Sequence, residues 1–244
     1  IGASHAGLSC AEKLRQLNFK GQIIIVEKLE GFPFQKPPLS KSYLNKNEEK
    51  EKYYLRRPKW FDDLSICLKS GKEVLKIDKN TKTLFLSDNS NLRYDKLVIA
   101  TGAIPKKLEF FKNNIENVFE LRTQIDAQKI KSFIKNIENT VIIGGGYIGL
   151  EIASSLKYQN KNVTIIESEN QILSRVASSK FSEFCHELHK KNNVNFKFSS
   201  NIENFTVEKN KIKTLCFSDK TIIKTDLIII GIGVKPDIKA VKNL

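Results

Sequence analysis

The stretch Val141-Ile142-Ile143-Gly144-Gly145-Gly146-Tyr147-Ile148-Gly149 decides the fold. Its three β-branched residues read as a buried strand, and Leu150, Ala153 and Leu156 then recur at helical spacing. Between them, Gly144, Gly146 and Gly149 make a GxGxxG turn. A second apolar run, Val163-Thr164-Ile165-Ile166, closes on Glu167, 18 residues beyond Gly149. Each part has a physical reason. The first glycine permits a tight strand-to-helix turn, the second lets backbone approach a pyrophosphate, and the third lets helix and strand pack closely. An anion held there faces unpaired N–H groups and the positive end of the helix. The acid accepts hydrogen bonds from a ribose diol.

The same plan occurs in the first half of the chain. Gly2-Ala3-Ser4-His5-Ala6-Gly7 leads into a helical stretch with Leu8, Ala11, Leu14 and Leu17 read as one face, and Asn18 stands where a left-handed cap stops it. The strand Gln22 to Val26 follows and ends in Glu27, 20 residues beyond Gly7. Ser4 replaces the second glycine; it is small, and its hydroxyl can donate. Each half continues through short alternating strands, Val74 to Leu86 and Phe205 to Ile223. Each closes on an apolar strand running into glycine, Leu97 to Gly102 and Leu227 to Gly231. A single glycine turn is weak evidence, but two in the same context predict an α/β fold of two Rossmann-like nucleotide-binding units, with parallel sheets and β-meanders.

Composition bounds the function classes. At 244 residues, 40% hydrophobic and 28% charged, the chain can build a core and is no disordered tail. Its most apolar windows, Val141 to Ala153 and Leu227 to Val234, are shorter than the ~20 residues of a membrane helix. A net charge of +14 raises the question of nucleic acid. Arginine supplies only six of the 41 basic residues, however, and the lysines are scattered, which favours a lysine-coated surface. Cys10, Cys67, Cys185 and Cys216 are too far apart for a redox pair or zinc clamp and read as buried thiols in a reducing, cytoplasmic setting. His186 and His189, three apart on a polar helix, read as surface or capping groups, and no metal site is expected. The absence of methionine and the start at Ile1 suggest an internal piece of a longer protein.

Pro33-Phe34-Gln35-Lys36-Pro37-Pro38-Leu39-Ser40-Lys41, just after the first strand-helix-strand unit, resembles the P-Y-x-R-P-P-L-S-K segment of FAD-dependent NADH:ferredoxin reductases. That family includes the putidaredoxin, rubredoxin and aromatic-dioxygenase reductases, with apoptosis-inducing factor as a relative. The resemblance continues through Leu55 to Pro58, Tyr94-Asp95, Ala100-Thr101-Gly102, Leu121-Arg122-Thr123 with Asp126-Ala127, Gly144 to Glu151, Arg175-Val176, His189, and Gly231-Ile232-Gly233 with Pro236.

It implies a glutathione reductase-type architecture in which the FAD domain, residues 1–107, is interrupted by an NAD domain, 108–234, with 235–244 beginning the return. It implies that Gly2, Ser4, His5, Ala6 and Gly7 bracket the FAD pyrophosphate, that Glu27 or Lys28 lies at the ribose, and that Val74 meets the adenine through its backbone. Arg122 meets the flavin end, and Thr101 and Gly102 also belong to the FAD site; Gly144, Gly146, Tyr147, Ile148, Gly149, Glu167, Gly231 and Gly233 belong to the nicotinamide nucleotide. Arg175 is either an adenine-side contact or a solvated arginine. Lys36 stands where the family has arginine, and it neutralises phosphate without a bidentate grip. Lys41 and Glu151, unrelated surface groups by spacing alone, are similar to the pair beside the reactive edge of the flavin. There an ammonium stabilises charge developing on reduction. Glu167 favours NADH, because a carboxylate repels a 2′-phosphate.

The implied activity is hydride transfer from NADH to FAD, followed by single electrons to a ferredoxin or rubredoxin. Where the disulfide reductases carry two cysteines, this chain has Pro37 to Lys41, so no dithiol relay is implied. Two rival readings remain: an NAD(H)-sensing flavoprotein like apoptosis-inducing factor with a basic, nucleic-acid-associating surface, and the flavin module of a larger nitrite reductase.

Overall fold

The computed structural model describes residues 1–111 and 115–242. It separates into two compact units: Ile1–Gln35, Glu48–Ile104 and Lys235–Leu244 form the first, and Lys36–Asn47 with Pro105–Val234 form the second. Residues 243 and 244, the end of the expected return segment, lie outside the described residues.

In the second unit, five strands form one parallel sheet. They lie in the order Val194–Lys197, Asn162–Ile166, Asn139–Ile143, Leu227–Ile230 and Val118–Glu120. The adjoining strands Asn139–Ile143 and Leu227–Ile230 carry the apolar runs Val141 to Ile143 and Leu227 to Ile230 because both faces are covered. Side chains alternate across a strand. Val141 and Ile143 therefore join Ile212, Leu215 and Phe217 of an antiparallel meander, Ile202–Glu208, Lys211–Phe217 and Ile222–Lys224. Ile142 points the other way, toward helix Tyr147–Tyr158, which buries Leu150, Ile152, Ala153 and Leu156. Asn117, fully buried, ties the layers together: its amide donates to Ile212 O and Asp226 O and accepts from Ile212 N–H.

The first unit repeats the plan on a smaller scale. Helix His5–Gln16 packs on strand Ile23–Val26, which pairs in parallel with Ile66–Lys69. A meander, Val74–Asp78, Thr83–Leu86 and Asn91–Arg93, forms a separate cluster through Val74, Ile77, Leu84 and Leu86. Asn18 is left-handed at φ +60 and ends the helix as expected.

Four sequence expectations need correction. Leu17 is 66% exposed, because three steps of three residues rotate it to the opposite side from Leu8. Leu97 to Gly102 forms no regular strand. Its backbone makes isolated bonds and no ladder: Ile1 donates its ammonium to Val98 O and accepts from Ala100 N–H, and Gly102 O accepts from Asp237 N–H, while Val98 and Ile99 stay exposed. The cysteines are not buried: Cys67 is exposed, since its strand turns Ile66 inward and its neighbour outward, and the other three are half-buried. His186 is half-buried and meets the stacked rings of Phe196 and Phe198 edge-on, at 4.6 and 5.2 Å. His189, in the last turn of its helix, is also half-buried, and burial, then His186, lowers its pKa, so both are less exposed than surface groups.

The third fingerprint glycine carries the tightest packing of the turn. An ideal Cβ on Gly149 meets the Gly144 carbonyl oxygen at 2.2 Å, whereas one on Gly146 meets nothing within 4 Å. Gly149→Ala is therefore expected to cost about 3 kcal/mol or more and lower the thermal midpoint by roughly 6 °C or more. Gly146→Ala should change stability by less than about 1 kcal/mol. Thermal unfolding followed by circular dichroism makes the comparison, and equal midpoints for the two variants contradict it.

Candidate functional site

The two glycine turns are built alike. Gly2 and Gly144 have φ of +100° and +110°, a region open to glycine without penalty. Gly2 N–H donates to Val26 O and Gly144 N–H to Ile166 O, both at 2.8 Å, which joins each turn to the end of the next strand. A Cβ on Gly2 would meet Ala100 O at 2.2 Å, and one on Gly144 would meet Gly231 O at 2.6 Å. Gly7 and Gly149 then press against the carbonyls of Gly2 and Gly144.

The first intrahelical bonds run from Leu8 to Ser4 and from Leu150 to Gly146, so the N–H groups before them have no partner within the helix. His5, Ala6, Tyr147 and Ile148 are exposed at these ends. Both turns thus present free amides and open space to an anion, which fits the pyrophosphate of a dinucleotide. Ser4, the N-cap, uses no side-chain bond to cap its own helix.

The acids make the same bond twice. Glu27 Oε2 accepts from Ala3 N–H at 2.8 Å, and Glu167 Oε2 accepts from Gly145 N–H at 2.7 Å. Their other oxygens accept from Leu29 N–H and Glu169 N–H. Each carboxylate therefore first orders its own turn, with both oxygens engaged, and Glu167 Oε1 also accepts from Ser168 Oγ at 3.1 Å. Gly145 escaped the sequence reading. A Cβ there would come within 2.8 Å of Ile172 Cγ2 and 3.2 Å of Glu167 Oε2, so the middle position is closed by the acid and by the loop that carries Leu173. Leu173 N–H donates to Gly145 O; Arg175, on the same loop, is exposed.

In the first unit, Gly2, Glu27, Lys28, Val74 and Thr101 line one crevice of about 50 Å³, together with Asp237. Lys28 pairs with Asp237 at 2.8 Å, Thr101 Oγ1 donates to Asp237 O at 2.6 Å, and Asp237 N–H donates to Gly102 O. Gly102, at φ +71, makes that turn. Asp237, 209 residues from Lys28, was invisible to local sequence reading. The Lys28 ammonium holds its carboxyl below the usual carboxylate range.

The second unit brings Lys41 and Glu151 together. Lys41 Nζ lies 2.8 Å from Glu151 Oε1, and Ser40 Oγ donates to Glu151 Oε2 at 2.5 Å. Both lie in a cleft of about 250 Å³ with Lys36, Leu121, Arg122 and Ile148. Lys36–Asn47 belongs to this unit, although the expected boundary placed it with residues 1–107. The cause is a polar seam. Ser155 Oγ donates to Ser40 O at 2.7 Å, Gln159 to Asn45 Oδ1 at 3.0 Å, and Lys131 to the carbonyls of Tyr43 and Lys46. Asp126 completes a capping box with Thr123 and accepts from Arg122 N–H, which fixes the start of the helix beside the cleft. Gly233, at φ +103, lies outside both glycine turns.

Among the described residues, no cluster of three or more His, Cys, Asp or Glu could hold a metal ion, and no helix is long and apolar enough to cross a membrane.

Residues 1–244 match the family described as pyridine nucleotide-disulphide oxidoreductase. The chain is 33% identical to rhodocoxin reductase of Rhodococcus erythropolis, over 98% of this chain and 56% of the relative. It is 33% identical to putidaredoxin reductase of Pseudomonas putida, over 97% and 57%. Among solved structures, a ferredoxin reductase from Rhodopseudomonas palustris superposes with a TM-score of 0.93 at 28% identity, covering 98% of this chain and 59% of that one. The covalent putidaredoxin reductase–putidaredoxin complex gives 0.92 at 33% identity, covering 98% and 58%. The chain thus spans less than three fifths of the length of these relatives.

The Lys28–Asp237 pair makes a pH prediction. The folded carboxyl titrates below its unfolded value of ~4, so the pair stabilises fully above that pH and its contribution is lost as pH falls below it. Asp237→Asn should lower the thermal midpoint near pH 7 and cost progressively less in acid. A difference from the parent that stays constant with pH contradicts this.

Proposed function

The chain belongs to the pyridine nucleotide-disulphide oxidoreductase family, and from that premise we propose that it acts as a flavoprotein reductase taking hydride from NADH to FAD and passing single electrons to a ferredoxin or rubredoxin. The observation that carries the reading is the repeated turn, with the same glycine packing and the same acid-to-amide bond in each unit. Two such turns suit two dinucleotides. The comparisons with rhodocoxin and putidaredoxin reductases supply the rest.

In this reading residues 1–107 with 235–244 bind FAD and residues 108–234 bind NAD(H). The amides at Ser4 to Gly7 take the FAD pyrophosphate and those at Gly146 to Gly149 take that of NADH. Glu27 and Glu167 accept from ribose hydroxyls with the capacity their own turns leave, and Glu167 disfavours a 2′-phosphate. Val74 meets the FAD adenine through its backbone, Thr101 and Gly102 also contact FAD, and Arg122 meets the flavin end, with Gly231 and Gly233 on the NADH side. When bound, FAD supplies the conversion of a two-electron donor into one-electron steps. Lys41 supplies a fixed positive charge in the cleft, and Glu151 keeps it oriented. The +14 charge favours an acidic acceptor through electrostatic steering. Four free thiols go with a reducing, cytoplasmic setting.

Stopped-flow mixing of the FAD-loaded protein with NADH tests the proposal. The flavin absorbance should be lost at least ~10-fold faster with NADH than with NADPH, and Lys41→Ala should slow the NADH reaction by about 10-fold or more. Onward transfer to an acidic ferredoxin should slow as salt rises. A protein that takes up no FAD, or whose flavin ignores NADH, is not this reductase.

A further inference from the structure

We propose that Ser40 is a positioning residue for the Lys41–Glu151 pair and that Ser155 seats it. The inference rests on the proposed reading of that pair. Lys41 is half exposed, with a side-chain exposure of 51%, and Glu151 retains 31%. An ion pair this wet contributes little by itself and does not hold two long side chains in one geometry. Ser40, by contrast, is 4% exposed, and its hydroxyl binds the carboxylate oxygen that Lys41 leaves free. With one oxygen on the ammonium and the other on a buried hydroxyl, the plane of the Glu151 carboxylate is fixed.

Two constraints fix Ser40 in turn. Pro37 and Pro38 open the short 3₁₀ turn Pro37–Ser40 with preset φ, and Lys41 N–H closes it on Pro38 O at 3.0 Å. From the opposite side Ser155, also 4% exposed, donates its hydroxyl to the Ser40 carbonyl at 2.7 Å. Glu151 and Ser155 stand four residues apart on helix Tyr147–Tyr158 and so share one face. That face grips Ser40 by its hydroxyl at one turn and by its carbonyl at the next. The arm carrying Lys41 is thereby registered to the helix that carries the second glycine turn.

The test compares Ser40→Thr with Ser40→Val in the FAD-loaded protein, since these side chains have nearly the same shape and only threonine keeps the hydroxyl. Ser40→Val should slow flavin reduction by NADH roughly 3- to 30-fold relative to Ser40→Thr. It should also raise the labelling rate of Lys41 by an amine-reactive ester about 2-fold or more, read by peptide mass spectrometry against Lys131. Adding Glu151→Gln should abolish both differences, because Ser40 acts through that carboxylate. Equal rates and equal labelling in the two Ser40 variants overturn the inference while leaving the reductase reading intact. A difference that survives Glu151→Gln assigns Ser40 a merely structural role and also overturns it. If Glu151→Gln alone changes nothing, the reading of the pair fails, and the inference fails with it.

Discussion

A carbonyl oxygen standing where a side chain would begin governs this molecule. In each unit the carbonyl of the first glycine, Gly2 or Gly144, occupies the space of a Cβ on the third, Gly7 or Gly149. That approach sets how closely the helix meets its strand and hence where its free amides point. The acid at the end of the neighbouring strand then locks the turn from outside, with a carboxylate oxygen on the amide of Ala3 or Gly145. Sterics and one charge-assisted hydrogen bond thus arrange each turn, and in the proposed reading the arranged amides receive the anion.

The second organising feature is the arm Lys36–Asn47. Its sequence neighbours on both sides belong to the first unit, yet its own bonds go to helices Gln124–Ile134 and Tyr147–Tyr158 of the second. The bonds are polar and many reach backbone carbonyls, so they fix main-chain position more than they contribute hydrophobic stability. Lys41 is held in consequence as part of the unit that also holds Glu151 and Arg122. In the proposed reading, where Lys41 acts on a bound ring, a charge must keep its distance within a fraction of an ångström, and hydrogen bonds from the buried Ser40 and Ser155 hydroxyls supply the constraint that an exposed ion pair lacks.

Much of this was legible in local pattern. The helical run after Gly149, the strand ending in Glu167 and the left-handed Asn18 all follow from rules that act within a few residues. Errors arose where the rule needed a partner. Leu97 to Gly102 has the composition of a buried strand, but a strand exists only with a neighbouring ladder, and here the segment has isolated bonds to Ile1 and Asp237. Residue type and spacing point Cys67 and Leu17 inward, while strand alternation and helical rotation carry them outward.

By itself the sequence determined the two strand-turn-helix-strand units, their acids and the residue types at each turn, because those depend on periodicity and on glycine's missing side chain. Only the tertiary structure decided that Asp237 meets Lys28, that Gly145 rather than Gly146 is sterically closed, and that Ser40 and Ser155 stand behind Lys41 and Glu151. Those contacts join residues 209, 111 and 115 positions apart in the Lys28–Asp237, Ser40–Glu151 and Ser40–Ser155 pairs. A hydrogen bond reaches about 3 Å and leaves no periodic trace along the chain, so folding alone brings such partners within range.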